Sequence, residues 1–152
     1  MQEQDYEYAG FWIRLGASLI DALLLMLITL PPLVAIYGWS YFDNDQFVAG
    51  TADFLISFVL PAIGTLLFWL NKQATPGKMA VSAKVVDAKT GKTMSVGQSI
   101  GRYLAYFASA LPVGLGFIWV AFDSKKQGWH DKLAGTVVIR AKNGSLSPVK
   151  FE

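Results

Sequence analysis

Two charged residues lie inside the first apolar stretch of the chain, where charged side chains are rare. Arg14 and Asp21 are seven residues apart, so on a helix they share one face with Ser18 between them. A carboxylate near the bilayer centre costs roughly 2.5–3.5 kcal/mol on insertion scales, so Asp21 should be protonated, paired or turned toward a wet cavity. Two interpretations remain open: a polar clamp to another helix or to Arg102, or a carboxylate that exchanges a proton for a metal cation.

A second pair of polar residues, His130 and Asp131, follows the last apolar stretch. The ordinary pKa of histidine lies near neutral pH, which makes His130 a candidate for a pH-sensitive group, while a lone histidine more often only caps or hydrogen-bonds. If the tail is cytoplasmic, Asp131 is a candidate ion-pair partner of Arg14; the alternative is a solvated carboxylate beside Lys132. The candidate ion- or substrate-binding residues are therefore Asp21, Arg14, Ser18 and Asp131.

Enzyme chemistry finds little support in the composition. The chain has no Cys and one His, which excludes thiolate nucleophiles and Cys-based zinc sites and disfavours a His cluster. No nucleophile–base motif, metal-ligand spacing or phosphate-binding glycine loop is present in the sequence. We therefore predict a protein that is not an enzyme and that uses no metal centre and no cofactor.

The elements that must position these residues are membrane helices. Hydrophobic residues make up 53% of the 152 residues and charged ones only 16%, where soluble domains carry roughly 25% charged residues. This predicts an all-α integral membrane bundle that forms a single domain over residues 1–152. Three hydrophobic segments cover about 11–39, 50–71 and 100–123. A basic connection (72–102) separates the last two, and a basic tail (124–152) follows.

The distribution of basic residues predicts the orientation. The loop from Gly38 to Asp53 has no Lys or Arg, while the connection and the tail are rich in both. The positive-inside rule then places the N-terminus and the connection in the cytoplasm. A Pro/Gly break at 111–116 makes the third segment either a re-entrant hairpin or a single kinked span. We favour the hairpin because it keeps the basic tail cytoplasmic.

A small cytoplasmic β element is also predicted. β-branched residues on both sides of Ala88–Lys92 indicate a hairpin, and Thr136–Arg140 is a further strand candidate that could pair with it. Ser95 and Gln98 have the spacing of a capping box that opens the helix through Arg102.

Several short motifs, in this order and spacing, resemble the RDD family of mainly bacterial membrane proteins. They are Phe11-Trp12-Ile13-Arg14-Leu15 with Asp21, Thr75-Pro76-Gly77-Lys78, Lys84-Val85-Val86-Asp87, and His130 through Val138. The resemblance implies that Arg14, Asp21 and Asp131 are the Arg and two Asp for which the family is named. It also implies a multi-pass protein of the inner (cytoplasmic) membrane, and cation/proton antiport has been proposed for some members.

Two functions are consistent with these observations. The first is a transporter that exchanges a small cation for a proton at Asp21, in a homo-oligomer because three segments can hardly enclose a pathway. The second is a non-transporting scaffold that binds a partner protein or lipid. Nucleic acid is an improbable partner, because the basic residues lie beside membrane helices and have anionic lipid as their electrostatic partner.

Overall fold

The computed structural model describes residues 6–112 and 114–141. Two of its helices are long and apolar enough to cross a membrane: α1 (Phe11–Tyr37, 27 residues) and α2 (Thr51–Lys72, 22 residues). At about 1.5 Å per residue both exceed the roughly 30 Å of a hydrocarbon core. These helices confirm the first two predicted hydrophobic segments to within two residues at each end.

Prolines in the two spans have different consequences. The first span continues as α-helix through Pro31 and Pro32 and ends at Gly38, whose positive φ of 76° suits glycine. The second span contains a π-helical stretch, Leu55–Val59, directly before Pro61. Proline lacks the N–H that would continue the regular ladder, which accounts for the local change of helix type.

The basic connection folds into a short helix α3 (Pro76–Ala80) and a strand β2 (Ala83–Asp87). The predicted hairpin at Ala88–Lys92 is wrong, because only its first arm is a strand and residues 88–95 form a turn and irregular backbone. Asp87 stabilises the turn by accepting hydrogen bonds from two following backbone N–H groups and from the side chain of Gln98.

The third hydrophobic segment is broken, as predicted. Helix α4 (Val96–Ala110) begins at the predicted capping box, in which Gln98 N–H donates to Ser95 Oγ at 3.1 Å and Ser95 N–H donates to Gln98 Oε1 at 3.0 Å. Helix α5 (Leu115–Ala121, ending in a 3-10 turn) follows the break, and its axis is bent by 108° from that of α4. Helix α4 is about 22 Å long at 1.5 Å per residue, shorter than the bilayer core.

A three-stranded antiparallel sheet joins the chain's two ends to the connection. Strand β3 (Thr136–Ala141) follows helix α6 (Trp129–Ala134) and lies in the centre, with β1 (Tyr6–Tyr8) on one side and β2 on the other. Strand β1 directly precedes α1, and β2 follows α2, so the three strands gather at one end of the spans. The predicted pairing of the connection with the tail is confirmed, while β1 was not foreseen.

This sheet bears on the path of the third segment. Residue pairs such as Val85 with Val138 and Val86 with Val137 hold β2 against β3. The segment between these strands therefore begins and ends at the same end of the two spans. The geometry favours the predicted returning hairpin, formed by α4 and α5, over a single crossing of the membrane.

Most of the buried apolar residues in the described part of the chain lie on this sheet and at its junction with the spans. One face packs Tyr8, Val86, Val137 and Ile139 together, and the other packs Val85, Val138 and Met94 against Trp69 of α2. The spans themselves present mostly exposed apolar side chains, as lipid-facing helices do. The sheet thus anchors the ends of all three hydrophobic segments.

Candidate functional site: a buried Arg–Asp cluster beside a cavity

Asp131 is the centre of a buried ionic cluster. Arg14 of α1 contacts its Oδ2 at 2.6 Å, and Arg102 of α4 donates to its Oδ1. The backbone N–H of Gly128 donates to Oδ2 at 2.8 Å, so the same carboxylate caps the first turn of α6. Burial opposes ionisation of Asp131, but the two guanidinium groups outweigh it and hold the pKa well below its usual range. The predicted Arg14–Asp131 pair is present.

Arg102 is the residue of this cluster that the predicted set of site residues did not include. Its side chain is fully buried, and Nη1 also donates to Thr136 Oγ1 at 2.8 Å. Its guanidinium lies 5.2 Å from the ring centre of Trp69 and 5.7 Å from that of Tyr106, within the range of cation–π contacts. The sequence feature that could have identified Arg102 is its position seven residues beyond the capping Ser95, within an otherwise uncharged helix.

His130 links the cluster to the returning hairpin. Its Nε2 lies 2.9 Å from Arg14 Nη2, and its Nδ1 lies 3.1 Å from Ser109 Oγ. Since Arg14 can only donate, Nε2 must accept and Nδ1 carries the proton, which assigns the neutral tautomer. Burial, with the positive charges of Arg102 and Arg14, lowers the pKa of His130 to about 2. These surroundings argue against a pH-sensitive role for His130 near neutral pH and agree with the alternative, a histidine that only forms hydrogen bonds.

Asp21 has separate partners from Arg14. Its carboxylate accepts from Thr75 Oγ1 at 2.6 Å and from the N–H of Gly77 at 2.7 Å, both at the start of α3. Arg14 instead turns toward α6 and donates to the carbonyl of Lys126 at 2.7 Å. The two residues therefore share a helix face, as predicted, but bind different parts of the chain.

Gly77 makes the contact between α3 and α1 feasible. A Cβ at this position would lie 1.9 Å from the carbonyl oxygen of Ala17 and 2.8 Å from Cγ of Asp21. Only glycine lets the α3 backbone come close enough for its N–H to reach the carboxylate. The carboxylate of Asp21 thus connects the first membrane helix to α3 through two hydrogen bonds.

A cavity of about 650 Å³ adjoins this cluster. Arg14, Ser18, Asp21 and His130 lie on its wall, whereas Asp131 is covered by the arginines. The structure thus brings Arg14, His130 and Asp131 into one cluster and places Asp21 and Ser18 along the adjoining wall. The remaining lining residues come from α1, α2, α4, α5 and the turn between α4 and α5, with Thr75 and Lys78 from the connection.

The site's sequence motifs match a known family. The model of the RDD family covers residues 8–135. The chain belongs to the RDD family. Its similarity to the uncharacterized protein YxaI of Bacillus subtilis is 32% identity, over 86% of this chain and 96% of YxaI. The uncharacterized membrane protein YteJ of the same organism is 29% identical, over 90% of this chain and 84% of YteJ.

A third relative supports the same family without a function. The uncharacterized protein RP437 of Rickettsia prowazekii is 45% identical over 50% of this chain and 42% of its own length. No solved structure matches the chain. The chain is therefore an RDD-family membrane protein, and the names of these three relatives state no function.

Proposed function

We propose that this RDD protein is a small membrane transporter whose site is the cavity between α1, α4 and α5. The observation that carries the proposal is the composition of the cavity wall. Arg14, Asp21, Lys78 and His130 all line one cavity that abuts a candidate membrane span. Ionisable side chains within a membrane segment cost free energy of insertion, so their presence there points to a functional site.

Cation/proton exchange would use Asp21. Both of its hydrogen-bond donors, the Thr75 hydroxyl and the Gly77 amide, are neutral groups, so no ion pair within 4 Å offsets its charge in the described part of the chain. Asp131 differs, because Arg14 and Arg102 already neutralise it. Asp21 is therefore the carboxylate of the site that is better suited to exchange a proton for a cation, with Arg14 modulating its field.

A homo-oligomer would complete the pathway. Two long helices and a re-entrant hairpin are too few to enclose an alternating-access route within one chain. The exposed apolar side chains of α1, including Leu19, Leu23 and Leu27, would face either lipid or a second copy. The basic connection and tail would lie on the cytoplasmic side by the positive-inside rule.

The alternative function is a membrane scaffold that binds a partner protein or lipid. One observation favours it: both oxygens of Asp21 accept hydrogen bonds that tie α1 to α3. In this proposal the carboxylate is only a structural clamp. The protein would then move no ion, and loss of the charge would alter stability or assembly.

Proton flux in liposomes tests the choice. Purified protein in proteoliposomes with an internal pH dye is pulsed with Na⁺, Li⁺ or K⁺, and Asp21→Asn is compared with Asp45→Asn, which makes the same chemical change in an exposed loop. Exchange predicts cation-dependent proton movement that Asp21→Asn abolishes and Asp45→Asn keeps. Absence of flux from correctly folded and oriented wild type would refute exchange. A lower melting temperature or a shifted oligomer peak for Asp21→Asn would then favour the scaffold.

A further inference from the structure

We propose that the cavity binds an amphiphilic anion, with its carboxylate or phosphate headgroup paired to Lys78 and its apolar tail along the cavity wall. The proposal uses the cavity of the proposed transporter and names the class of molecule that it holds. It does not require exchange at Asp21, so the two can fail separately.

Lys78 has a buried amino group without an anionic partner. It keeps only 7% of its surface exposed and lines the cavity from α3. Among residues 6–112 and 114–141, no carboxylate lies within 4 Å of its ammonium group, and no hydrogen bond of its side chain is present. Burying a charge in this way is costly unless a counter-charge is supplied. A bound anion would supply it.

Neighbouring carboxylates are already engaged. Asp131 is shared by Arg14 and Arg102, and Asp21 accepts hydrogen bonds on both oxygens. These two carboxylates face three cationic side chains, which leaves one positive charge in excess when Lys78 is protonated. Burial, followed by the charges of Arg102 and Arg14, lowers the pKa of Lys78 to about 7, against the opposing effect of the two carboxylates. An anion restores neutrality.

The rest of the cavity suits a hydrocarbon tail. Its volume of about 650 Å³ lies within the roughly 300–1,000 Å³ of small-molecule sites and greatly exceeds one headgroup. Most of the surface of the wall is apolar, although polar and ionisable side chains also line it, among them Arg14, Ser18, Asp21 and His130. The apolar lining residues include Phe11, Leu15, Ala22, Leu25, Phe117 and Val120. A purely polar anion would leave this apolar surface in contact with water.

Ligand binding to the purified full chain in a non-ionic detergent provides the test. Native mass spectrometry would be used with four probes: phosphatidylglycerol, phosphatidylcholine, oleate and inorganic phosphate. Wild type is compared with Lys78→Met, which removes the charge at similar length, and with Lys89→Met, the same change at an exposed lysine of the connection. Since a hydrogen bond to a charged group contributes about 1.5–3 kcal/mol, we expect Lys78→Met to weaken binding by about tenfold or more.

The binding results distinguish the source of the ligand, its chemical class and any effect of the substitution on folding. Binding of phosphatidylglycerol or oleate that only Lys78→Met weakens supports the proposal, and the tighter of the two identifies a membrane lipid or a free amphiphile as the source. Equal binding of phosphatidylcholine, or no effect of Lys78→Met in a protein that keeps its melting temperature, would overturn it. Binding of inorganic phosphate as tight as that of oleate would also overturn it. If Lys78→Met lowers the melting temperature, Lys78→Arg, which keeps the charge, must retain binding.

Discussion

Neutralising Asp131 should destabilise the fold more than any other single change of charge in the cluster. Asp131→Asn keeps the size of the side chain but leaves the fully buried Arg102 and the nearly buried Arg14 without their counter-charge. Breaking a buried pair by removing one partner costs about 3–5 kcal/mol. The variant also loses the carboxylate acceptor for the N–H of Gly128 at the start of α6.

The expected change can be measured by thermal unfolding in detergent. With about 2–4 °C per kcal/mol for a chain of this size, the melting temperature of Asp131→Asn should fall by roughly 6–20 °C. Asp45→Asn, in an exposed loop, should leave it unchanged and serves as the control. The reasoning is refuted if Asp131→Asn melts within about 2 °C of wild type while the protein remains monodisperse.

A double variant tests whether the loss arises from the orphaned guanidinium. Arg102→Gln removes the buried positive charge that Asp131→Asn leaves unpaired, so the combined change should cost less than the sum of the two. The expected coupling energy is about 0.5–3 kcal/mol, the range found for residues that share one hydrogen-bond or salt-bridge network. Strictly additive losses would show that the two side chains act independently.

Three further predictions concern the surroundings of the cluster. The free energy of unfolding should fall as the pH drops below about 6.5, because His130 then becomes protonated in the unfolded chain but stays neutral in the folded one down to about pH 2. The slope is at most about 1.4 kcal/mol per pH unit. In a series of melting curves, a His130→Gln variant should show a smaller dependence of stability on pH. Gly77→Ala should fail to form a stable fold in thermal melts because its Cβ would collide with the carbonyl of Ala17, whereas Gly97→Ala, with only one neighbour at 3.9 Å, should be tolerated; equal stability of the two would contradict the close contact. Ser95→Ala should lower the free energy of unfolding by about 1 kcal/mol through loss of the helix cap, and a Ser95→Asn variant should restore it.

The sequence predicted the parts of this fold that depend on local patterns. Runs of apolar residues located α1 and α2 because each run is long enough to cross the bilayer. The spacing of Ser95 and Gln98 located the start of α4 because a capping box is a local interaction. The Pro/Gly break before Leu115 likewise indicated where the third segment bends.

Long-range partners were harder to predict. The hairpin after β2 was wrong because β3, rather than the following residues, supplies the paired edge, and local β-propensity does not identify the partner. Charge placement alone predicts Arg102 as a partner of Asp21 and does not reveal that α4 packs against α6. The Asp21–Gly77 contact depends on a missing Cβ and joins residues far apart in the chain.

The site as a whole depends on the return of the third segment, because that return brings His130 and Asp131 back to Arg14. The natural chain has no cysteine, so single-cysteine variants can be labelled cleanly in intact cells. Asp45→Cys probes the first loop, Thr90→Cys the connection and Ser124→Cys the chain after the hairpin, all at exposed positions. We expect Thr90→Cys and Ser124→Cys to react from one side of the membrane and Asp45→Cys to react from the other. Labelling of Ser124→Cys on the same side as Asp45→Cys would contradict it.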